Sequence, residues 1–385
     1  MDINEKSLLL HKKLRGKLEI KSKIKLNSIE NLSLAYTPGV AEVCKEISKD
    51  ESKVYDYTFK KNTVAVISDG SAVLGLGNIG AKAALPVMEG KAILFKEFAG
   101  IDAFPICLNF QDTNKTIETI KNISPVFGGI NLEDFKAPEC FEIEEALQDL
   151  GIPVMHDDQH GTAVVVLAGI INSLKLKPSI NKENAKVVIN GCGAAGIAVT
   201  RILSDYGIKN IIIIDSKGIV NKERTDLNKE KQKILPIINP HNLKGDLAVA
   251  LENADIFIGV SKANLLTKDL IQLMNKDPII FALANPIPEI MPDIAKQAGA
   301  FIVATGRSDF PNQVNNVLAF PGIFRGALDI NAKKITNQMK LEAAKALAQI
   351  VEIPTPEKIL PSPLDKSVVS AVSEAVKKAY FQSIN

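Results

Sequence analysis

The 385-residue sequence contains no tryptophan, four histidines and four cysteines. No pair of cysteines has the C-x-x-C spacing of a structural zinc site, so reduced thiols in a cytoplasmic protein are favoured. Charge of one sign is not in excess either, since 46 lysines and arginines stand against 44 acids, for a net charge of +2. This balance argues against a protein whose main partner is a nucleic acid.

Long hydrophobic runs are also missing. The longest apolar stretch, TAVVVLAGII, falls short of the roughly 20 residues that a transmembrane helix needs. The N-terminal sequence MDINEKSLLLHKKL places acids before a very short apolar run, which is unlike a signal peptide. We therefore expect a soluble protein of the cytoplasm without a membrane partner.

Short apolar segments alternate with helix-like segments, which indicates the α/β class. We expect one α/β domain over residues 1–160 and a second over residues 161–385, with helices at its C-terminal end. Helices are predicted at FEIEEALQDL, closed by Gly151, at GTAVVVLAGIINSLKL, starting just after HDDQH, at AAGIAVTRILSDY and at two C-terminal segments. Buried strands are predicted at TVAVIS, AFPICLN and GIPVMH, and then at KVVING, NIIIID, DIFIGV, PIIFALANP and AFIVATG.

The sequence GCGAAG, residues 191–196, matches the dinucleotide-binding fingerprint in its full context. The strand KVVIN ends directly before Gly191, a helix follows Gly196, and the next strand ends in Asp215, 24 residues after Gly191. Free N–H groups at such a helix start bind a pyrophosphate, and the acid binds a ribose. A doubly wound Rossmann domain that binds NAD, with NADP as a further possibility, is therefore predicted through Gly191, Gly193, Ala194, Ala195, Gly196 and Asp215.

The choice between the two coenzymes depends on Asp215. Its carboxylate would repel the 2′-phosphate of NADP⁺, which favours NAD⁺. Lys217, Lys222 and Arg224 follow the strand and could swing toward a phosphate. We expect NAD⁺ to be preferred, with measurable activity on NADP⁺.

A second G-x-G-x-x-G sequence, GLGNIG at residues 75–80, lacks this context. The sequence SDGSAVL separates it from the preceding strand, and Pro86 is expected to interrupt any helix that starts at Gly80. We interpret it as a loop whose glycines let the backbone approach a small ligand. Lys91 follows in the apolar sequence VMEGKAIL, where desolvation would lower its pKa and suit it to act as a base; the alternative is a surface lysine.

Two pairs of acids are candidates for a metal site. Glu133 and Asp134 lie in INLEDF, and Asp157 and Asp158 lie in HDDQHGTA. Clustered carboxylates with few histidines suit Mg²⁺ or Mn²⁺ better than zinc. Taken separately, each pair can also be a solvated turn or a helix N-cap.

Four further polar residues are candidates for a ligand site. Tyr36 precedes the turn residues Pro38 and Gly39, which could aim its phenol into a cleft, although a core or surface tyrosine is the simpler interpretation. Asn285, Asn315 and Asn316 lie at the ends of predicted Rossmann strands or in the loops beyond them. Ligands of doubly wound sheets bind at that edge.

Together these motifs resemble the malic enzyme family in its bacterial form. The resemblance rests on YTPGVAEVC, SDGSAVLGLGNIGAKAALPVMEGKA, INLEDF, HDDQHGTA, NGCGAAGIA, ALANP and GRSDFPNQVNNVLAFPGIFRGALD, in this order over nearly the whole chain. It implies oxidative decarboxylation of L-malate to pyruvate, with NAD⁺ or NADP⁺ and a divalent metal. It also implies a homodimer or a larger homo-oligomer, in which Tyr36 could reach the site of a neighbouring subunit.

The resemblance also assigns roles to the candidate residues. Ala72 stands where the family has an arginine that grips malate. Asn285, also a cofactor-side candidate, resembles a contact to the substrate carboxylate, as do Asn315 and Asn316. The remaining assignments are Tyr36 as general acid, Lys91 as general base, Glu133, Asp134 and Asp158 as metal ligands, and Asp157 as the catalytic acid that supports them.

Two other functions are compatible with the same fold. One is a decarboxylating dehydrogenase for a different 2-hydroxy acid, which a substrate panel would distinguish. The other is a non-catalytic protein that senses nucleotides. Intact Tyr36, Lys91 and three metal-ligand acids count against the second, since a sensor does not need them.

Overall fold

Two parallel β-sheets organise the computed structural model, which describes residues 2–73 and 75–384. The first sheet has the strand order β2-β1-β3-β4, with all neighbours parallel. Its strands are β1 (Thr63–Ser68), β2 (Asp102–Cys107), β3 (Gly129–Leu132) and β4 (Val154–His156). Three of these were predicted from the sequence. Strand β3 was not, and its carboxyl end leads directly into Glu133 and Asp134.

The second sheet has the order β10-β9-β8-β5-β6-β7. Its strands are β5 (Lys186–Asn190), β6 (Asn210–Asp215), β7 (Gly218–Ile219), β8 (Ile256–Gly259), β9 (Ile279–Ala282) and β10 (Ile302–Thr305). All neighbours are parallel except the short β6–β7 pair. The strand order reverses at β5, because the chain moves to β6 on one side and later to β8 on the other. This is the predicted doubly wound arrangement, whose ligands bind at that reversal.

Sixteen α-helices lie among the described residues. In the first half they are α1 (Ile3–Leu14), α2 (Ile29–Ala35), α3 (Val40–Lys49), α4 (Val54–Tyr57), α5 (Gly80–Ala99), α6 (Thr113–Ile123), α7 (Glu139–Ala146) and α8 (Asp157–Leu176). The later helices are α9 (Ala194–Tyr206), α10 (Lys229–Ile234), α11 (Leu247–Leu251), α12 (Lys268–Gln272), α13 (Pro292–Gln297), α14 (Phe320–Asp329), α15 (Asn337–Gln349) and α16 (Ser367–Ile384). Over the described ranges, we find no helix with the length and apolar character to cross a membrane.

Pro86 does not interrupt helix α5, contrary to the expectation from the sequence. The helix runs from Gly80 to Ala99 with Pro86 inside it. The proline deprives the carbonyl four residues earlier, on Lys82, of its helical partner. Both residues are exposed, so water can satisfy that carbonyl. The helix therefore continues and carries Lys91 to its position.

Two other helix limits also differ from the prediction. Helix α8 begins at Asp157 and not after HDDQH, so Asp157 and Asp158 form its first turn. Carboxylates in a first turn are stabilised by the helix dipole. Helix α7 ends at Ala146, and Gly151, with φ of +70°, lies in the turn beyond it.

The two halves of the chain share their core. Phe95 of α5 packs edge-on against Phe320 and Phe324 of α14, with ring centroids 4.7 and 5.4 Å apart. Helix α14 belongs to the second half of the sequence, and α5 belongs to the first half. This contact therefore joins the two sides of the predicted boundary at residue 160. That boundary stays a prediction, but the contact places α14 beside the C-terminal half of α5.

The N-terminal helices are unusually exposed. Helices α1, α2 and α3 contribute no buried residue. Many exposed apolar side chains on one segment are typical of an interaction surface. We refer to residues 2–59 as the N-terminal arm; its exposed large apolar side chains include Ile3, Leu8, Leu9, Leu14, Ile20, Leu26, Ile29, Leu34 and Phe59.

Candidate active site

Lys91 is the centre of a buried group of charges. Its ammonium lies 2.9 Å from Glu133 Oε1 and 2.7 Å from Asp157 Oδ2. Its side chain is 11% exposed, and Nζ lies 4.4 Å from the ring centroid of Phe320. Helix α5, the end of β3, the start of α8 and helix α14 therefore converge on one ammonium group.

The expected lowering of the Lys91 pKa is wrong for this arrangement. Burial alone would lower it, but the attraction of Asp157 and Glu133 raises the pKa above its usual value. The sequence predicted the apolar setting and missed the two carboxylates. Burial in turn raises the pKa of both acids, although Lys91 opposes that shift.

Three carboxylates beside Lys91 form the predicted metal cluster. Ligand atoms of Glu133, Asp134 and Asp158 all lie within 4.8 Å of one another. Glu133 and Asp134 follow β3, and Asp158 follows its neighbour β4 by two residues, so the parallel register brings them to one edge. The backbone N–H of Asp134 donates to Asp158 Oδ2 over 2.8 Å, and Asn131 donates to Glu133 Oε2 over 2.7 Å.

This cluster fits a hard divalent cation. Burial raises the pKa of Glu133 well above its usual value, and repulsion from Asp158, Asp157 and Asp134 adds to this effect while Lys91 opposes it. A bound Mg²⁺ or Mn²⁺ ion would relieve that repulsion, and its oxygen preference matches the donors. Asp157 points instead at Lys91, as a supporting acid would.

The three asparagines occupy different places. Asn316 Nδ2 donates to Asp157 Oδ2 over 3.1 Å, and its Oδ1 accepts from Thr162 over 3.1 Å. The Asn315 side chain is used locally, where it accepts from the backbone of Val317. Asn285 is exposed and lies against the first glycine loop, since a Cβ atom on Gly75 would come within 2.2 Å of its carbonyl oxygen. That loop therefore does approach a candidate substrate residue closely.

Tyr36 is not part of this cluster within one chain. It follows helix α2 in the N-terminal arm and is 68% exposed. Among the described residues, no hydrogen bond joins its hydroxyl to Lys91 or to the acids. Ala72 contributes only a backbone N–H, which donates to the Asp134 carbonyl over 2.9 Å.

The second glycine sequence has the geometry of a dinucleotide loop. A Cβ atom on Gly191 would lie 2.7 Å from the Val260 carbonyl oxygen, and one on Gly196 would lie 1.8 Å from that of Gly191. Both positions therefore exclude a side chain. Within the described part of the chain, no atom would lie within 4 Å of a Cβ on Gly193, which leaves open space directly before Ala194 at the start of α9. Gly191 thus allows the tight turn, Gly193 leaves the backbone open to a pyrophosphate, and Gly196 allows the helix to pack closely on the strand.

Asp215 ends β6 as predicted, but it is not a free acceptor. It forms a two-point pair with Arg224, at 2.7 and 3.1 Å, and a bond of 2.5 Å with Lys231. These bonds lower its pKa against the effect of burial. The Lys217 ammonium pairs with Asp226, while its backbone N–H donates to Asp215 Oδ1 over 2.9 Å. Lys231 escaped the sequence analysis because fifteen residues, among them strand β7, separate it from Asp215.

A Rossmann sheet with a dinucleotide loop, next to a buried lysine and a carboxylate cluster, defines a dinucleotide-dependent oxidoreductase. Two family models match consecutive parts of the chain. The malic enzyme N-terminal domain matches residues 15–148, and the malic enzyme NAD binding domain matches residues 159–381. The chain belongs to the malic enzyme family.

Known proteins resemble the chain over its whole length. A bifunctional malic/malolactic enzyme of Bacillus subtilis is 55% identical, with 100% of this chain and 94% of that protein covered. An NADP-dependent malic enzyme of Haemophilus influenzae is 48% identical over 96% of this chain and 51% of its own length. The crystal structure of an NAD-dependent malic enzyme of Thermotoga maritima has a TM-score of 0.94 and 53% identity, covering 98% and 99% of the two chains.

The packing of Asp157 on Gly161 yields a test of the site. A Cβ atom at Gly161 would lie 1.9 Å from Asp157 Oδ1, so Gly161→Ala must displace the carboxylate from Lys91. We expect malate-dependent NAD(P)H formation to fall about 100-fold, as displacements of about 1 Å do in active sites. The control is Gly90→Ala, where Lys17 Nζ, at 3.6 Å, is the only atom of the described residues that a Cβ would meet within 4 Å outside its own helix backbone and chain neighbours. Equal activities of the two variants would contradict the assigned position of Asp157.

Proposed function

We propose that the protein catalyses the oxidative decarboxylation of L-malate to pyruvate and CO₂ with reduction of NAD⁺ or NADP⁺. The observation that carries this proposal is the Lys91 ammonium between Glu133 and Asp157, beside three clustered carboxylates. Membership of the malic enzyme family supports the same reaction. The four cysteines are free thiols, in keeping with the reducing cytoplasm that we propose as its location.

Lys91 is the proposed general base. It takes the C2 hydroxyl proton of malate as hydride leaves C2. In the structure Lys91 holds its proton against two carboxylates, so it becomes a base only when the charge of Glu133 is shared elsewhere. A divalent cation held by Glu133, Asp134 and Asp158 would share that charge and would stabilise the negative charge that decarboxylation places on the C2 oxygen.

Asn316 and Asn285 are the proposed contacts to the substrate carboxylates. Asn316 is fixed between Asp157 and Thr162, so it has a defined orientation beside Lys91. Asn285 approaches from the second sheet against the glycine loop of the first half. Asn315, whose side chain caps its own turn, is proposed as a backbone support and not as a direct contact.

Removal of the metal tests the proposed reaction. We expect EDTA to abolish malate-dependent NAD(P)H formation reversibly, and Asp158→Asn to lower it about 100-fold or more, because the cation loses a negatively charged ligand. The matched control is Asp149→Asn at an exposed acid. A panel of 2-hydroxy acids in the same assay separates malate from other substrates. Full activity without metal, or higher kcat/KM with another acid, would reject the proposal.

Tyr36 is proposed as the general acid that protonates C3, acting in the site of a neighbouring subunit. Within one chain it stands exposed in the N-terminal arm, away from Lys91. The exposed apolar side chains of the same arm would be buried by a second copy. A homodimer would therefore both cover this surface and deliver the phenol.

Mixed dimers distinguish the two placements of Tyr36. Tyr36→Phe and Lys91→Ala should each abolish malate turnover, and Tyr36→Phe should keep some reduction of oxaloacetate, which needs no C3 protonation. If Tyr36 acts across the dimer, co-refolding the two variants creates mixed dimers with one intact site. When the two variants are refolded in equal amounts, about half of the dimers are mixed, and each mixed dimer has one intact site out of two. We therefore expect about a quarter of the wild-type activity. No recovery, with mixed dimers verified by mass, would place Tyr36 in its own subunit's site.

NAD⁺ is the proposed preferred coenzyme, with NADP⁺ also accepted. Asp215 and Asp226 are paired with three cations, Arg224, Lys217 and Lys231, so this group carries a net charge of +1 and does not exclude a 2′-phosphate. Asp215 already accepts four hydrogen bonds, from Arg224, Lys231 and the backbone N–H of Lys217, so a ribose hydroxyl would replace one of these donors. Lys231, and not Lys217 or Lys222, is then the cation that makes NADP⁺ acceptable.

Lys231→Ala tests this account of coenzyme choice. Loss of the ammonium leaves Asp215 closer to a bare negative charge, so we expect kcat/KM for NADP⁺ to fall about 5- to 150-fold. The value for NAD⁺ should change less than about threefold, because no phosphate is involved. Lys217→Ala, which removes only a partner of Asp226, serves as the control. An unchanged NADP⁺ value would remove Lys231 from coenzyme recognition.

A further inference from the structure

A second cavity lies between the two halves of the chain. It has a volume of about 450 Å³ and is lined by helices α7, α8, α9, α10 and α15. Its lining residues include none of the catalytic, metal-binding or coenzyme-binding candidates. Small-molecule sites are usually about 300–1,000 Å³, so this volume suits a compact metabolite.

Most charges that line this cavity are matched by charges of the protein. Arg201 Nη2 lies 2.8 Å from Glu230, and Lys233 lies 2.7 Å from Glu230 and 3.2 Å from Glu145. These pairs fix the wall formed by α9 and α10. The opposite wall is formed by α8 and α15.

Lys340 is the unmatched charge that is buried, since Lys334, which also lines the cavity without an ion pair among the described residues, is exposed. Lys340 is 9% exposed, and its Nζ makes one hydrogen bond, of 3.2 Å, to His160 Nδ1. Among residues 2–73 and 75–384, no carboxylate oxygen lies within 4 Å of this ammonium; Glu144 and the exposed Asp205 act on it only from farther away. Burial lowers its pKa, and a buried charge without a partner is costly. Two N–H donors of the ammonium therefore remain for a counter-ion from solution.

The same lysine is connected to the start of helix α8. Because His160 Nδ1 accepts from Lys340, its Nε2 carries the hydrogen that is donated to Glu144 over 3.0 Å. Glu144 Oε1 in turn accepts the backbone N–H of His156 over 2.9 Å. His156 precedes Asp157 and Asp158, so a negative group bound at Lys340 acts on the helix start that carries both acids.

We propose that this cavity is a second binding site, which takes a small carboxylate or phosphate anion paired with Lys340. The site does not rest on the proposed malate chemistry, since none of its residues belongs to that machinery. Its volume admits a tricarboxylate or a small phosphorylated compound. An occupant would supply the missing counter-charge and tie α15 to α8 across the two halves.

Calorimetric titration of the full chain with inorganic phosphate and with tricarballylate tests this site. We expect Lys340→Met to weaken binding of at least one probe about 10-fold or more, since a charge-assisted hydrogen bond is lost. Lys340→Arg should stay within about threefold of wild type. Lys231→Met is the control for anions that bind at the coenzyme site, and it should leave the Lys340-dependent binding intact. Equal affinities in wild type and Lys340→Met would overturn the proposal.

Hydrogen exchange of the wild-type protein tests the same site without a variant, and so does not depend on whether Lys340→Met folds. Hydrogen exchange is followed with and without the anion that binds more tightly. We expect slower exchange at residues 337–343 of α15 and at the first turn of α8. Unchanged exchange in α15 under saturating anion, or the absence of binding by both probes up to about 10 mM, well above a typical metabolite affinity, would reject the site.

Discussion

The attraction between one ammonium and two carboxylates fixes the geometry of the whole centre. Lys91 lies on a helix, Glu133 follows a strand and Asp157 starts another helix, so three elements meet through these charges. Each carboxylate alone would be costly to bury, and together they would repel each other. The lysine makes their burial possible, and Asn316 and Phe320 then define the remaining sides of the group.

The glycines complement this arrangement by letting backbones come together where side chains would prevent it. Gly75 admits the carbonyl of Asn285 and so brings the two halves into contact at the side proposed to bind the substrate. Gly161 admits Asp157 within its own helix, and Gly196 admits Gly191 in the dinucleotide loop. The charges and the close approaches thus act together, because a displaced backbone would also separate the ion pairs.

The sequence predicted those parts of the molecule that depend on neighbours along the chain. The dinucleotide loop, the end of β6 at Asp215 and most strands follow from local pattern, since glycine spacing and apolar runs are properties of short segments. The ion pairs around Lys91 could not be predicted from local pattern, because Asp157 is 66 residues away in the sequence. The pKa direction was therefore wrong although the apolar setting was right. The ion pair of Lys231 with Asp215 was missed for the same reason, since it depends on which later segment folds beside the end of β6.

The contact between α5 and α14 has a consequence for the synthesis of the protein. Lys91, Glu133 and Asp157 leave the ribosome long before Asn316 and Phe320, which are about 160 residues behind Asp157. At the usual rates of translation this interval is on the order of ten seconds or more. During that time the nascent chain holds its acids and its lysine without the helix that covers them. The reactive centre is therefore one of the last features to mature, and an incomplete chain released from the ribosome would present these charges to water without a working site.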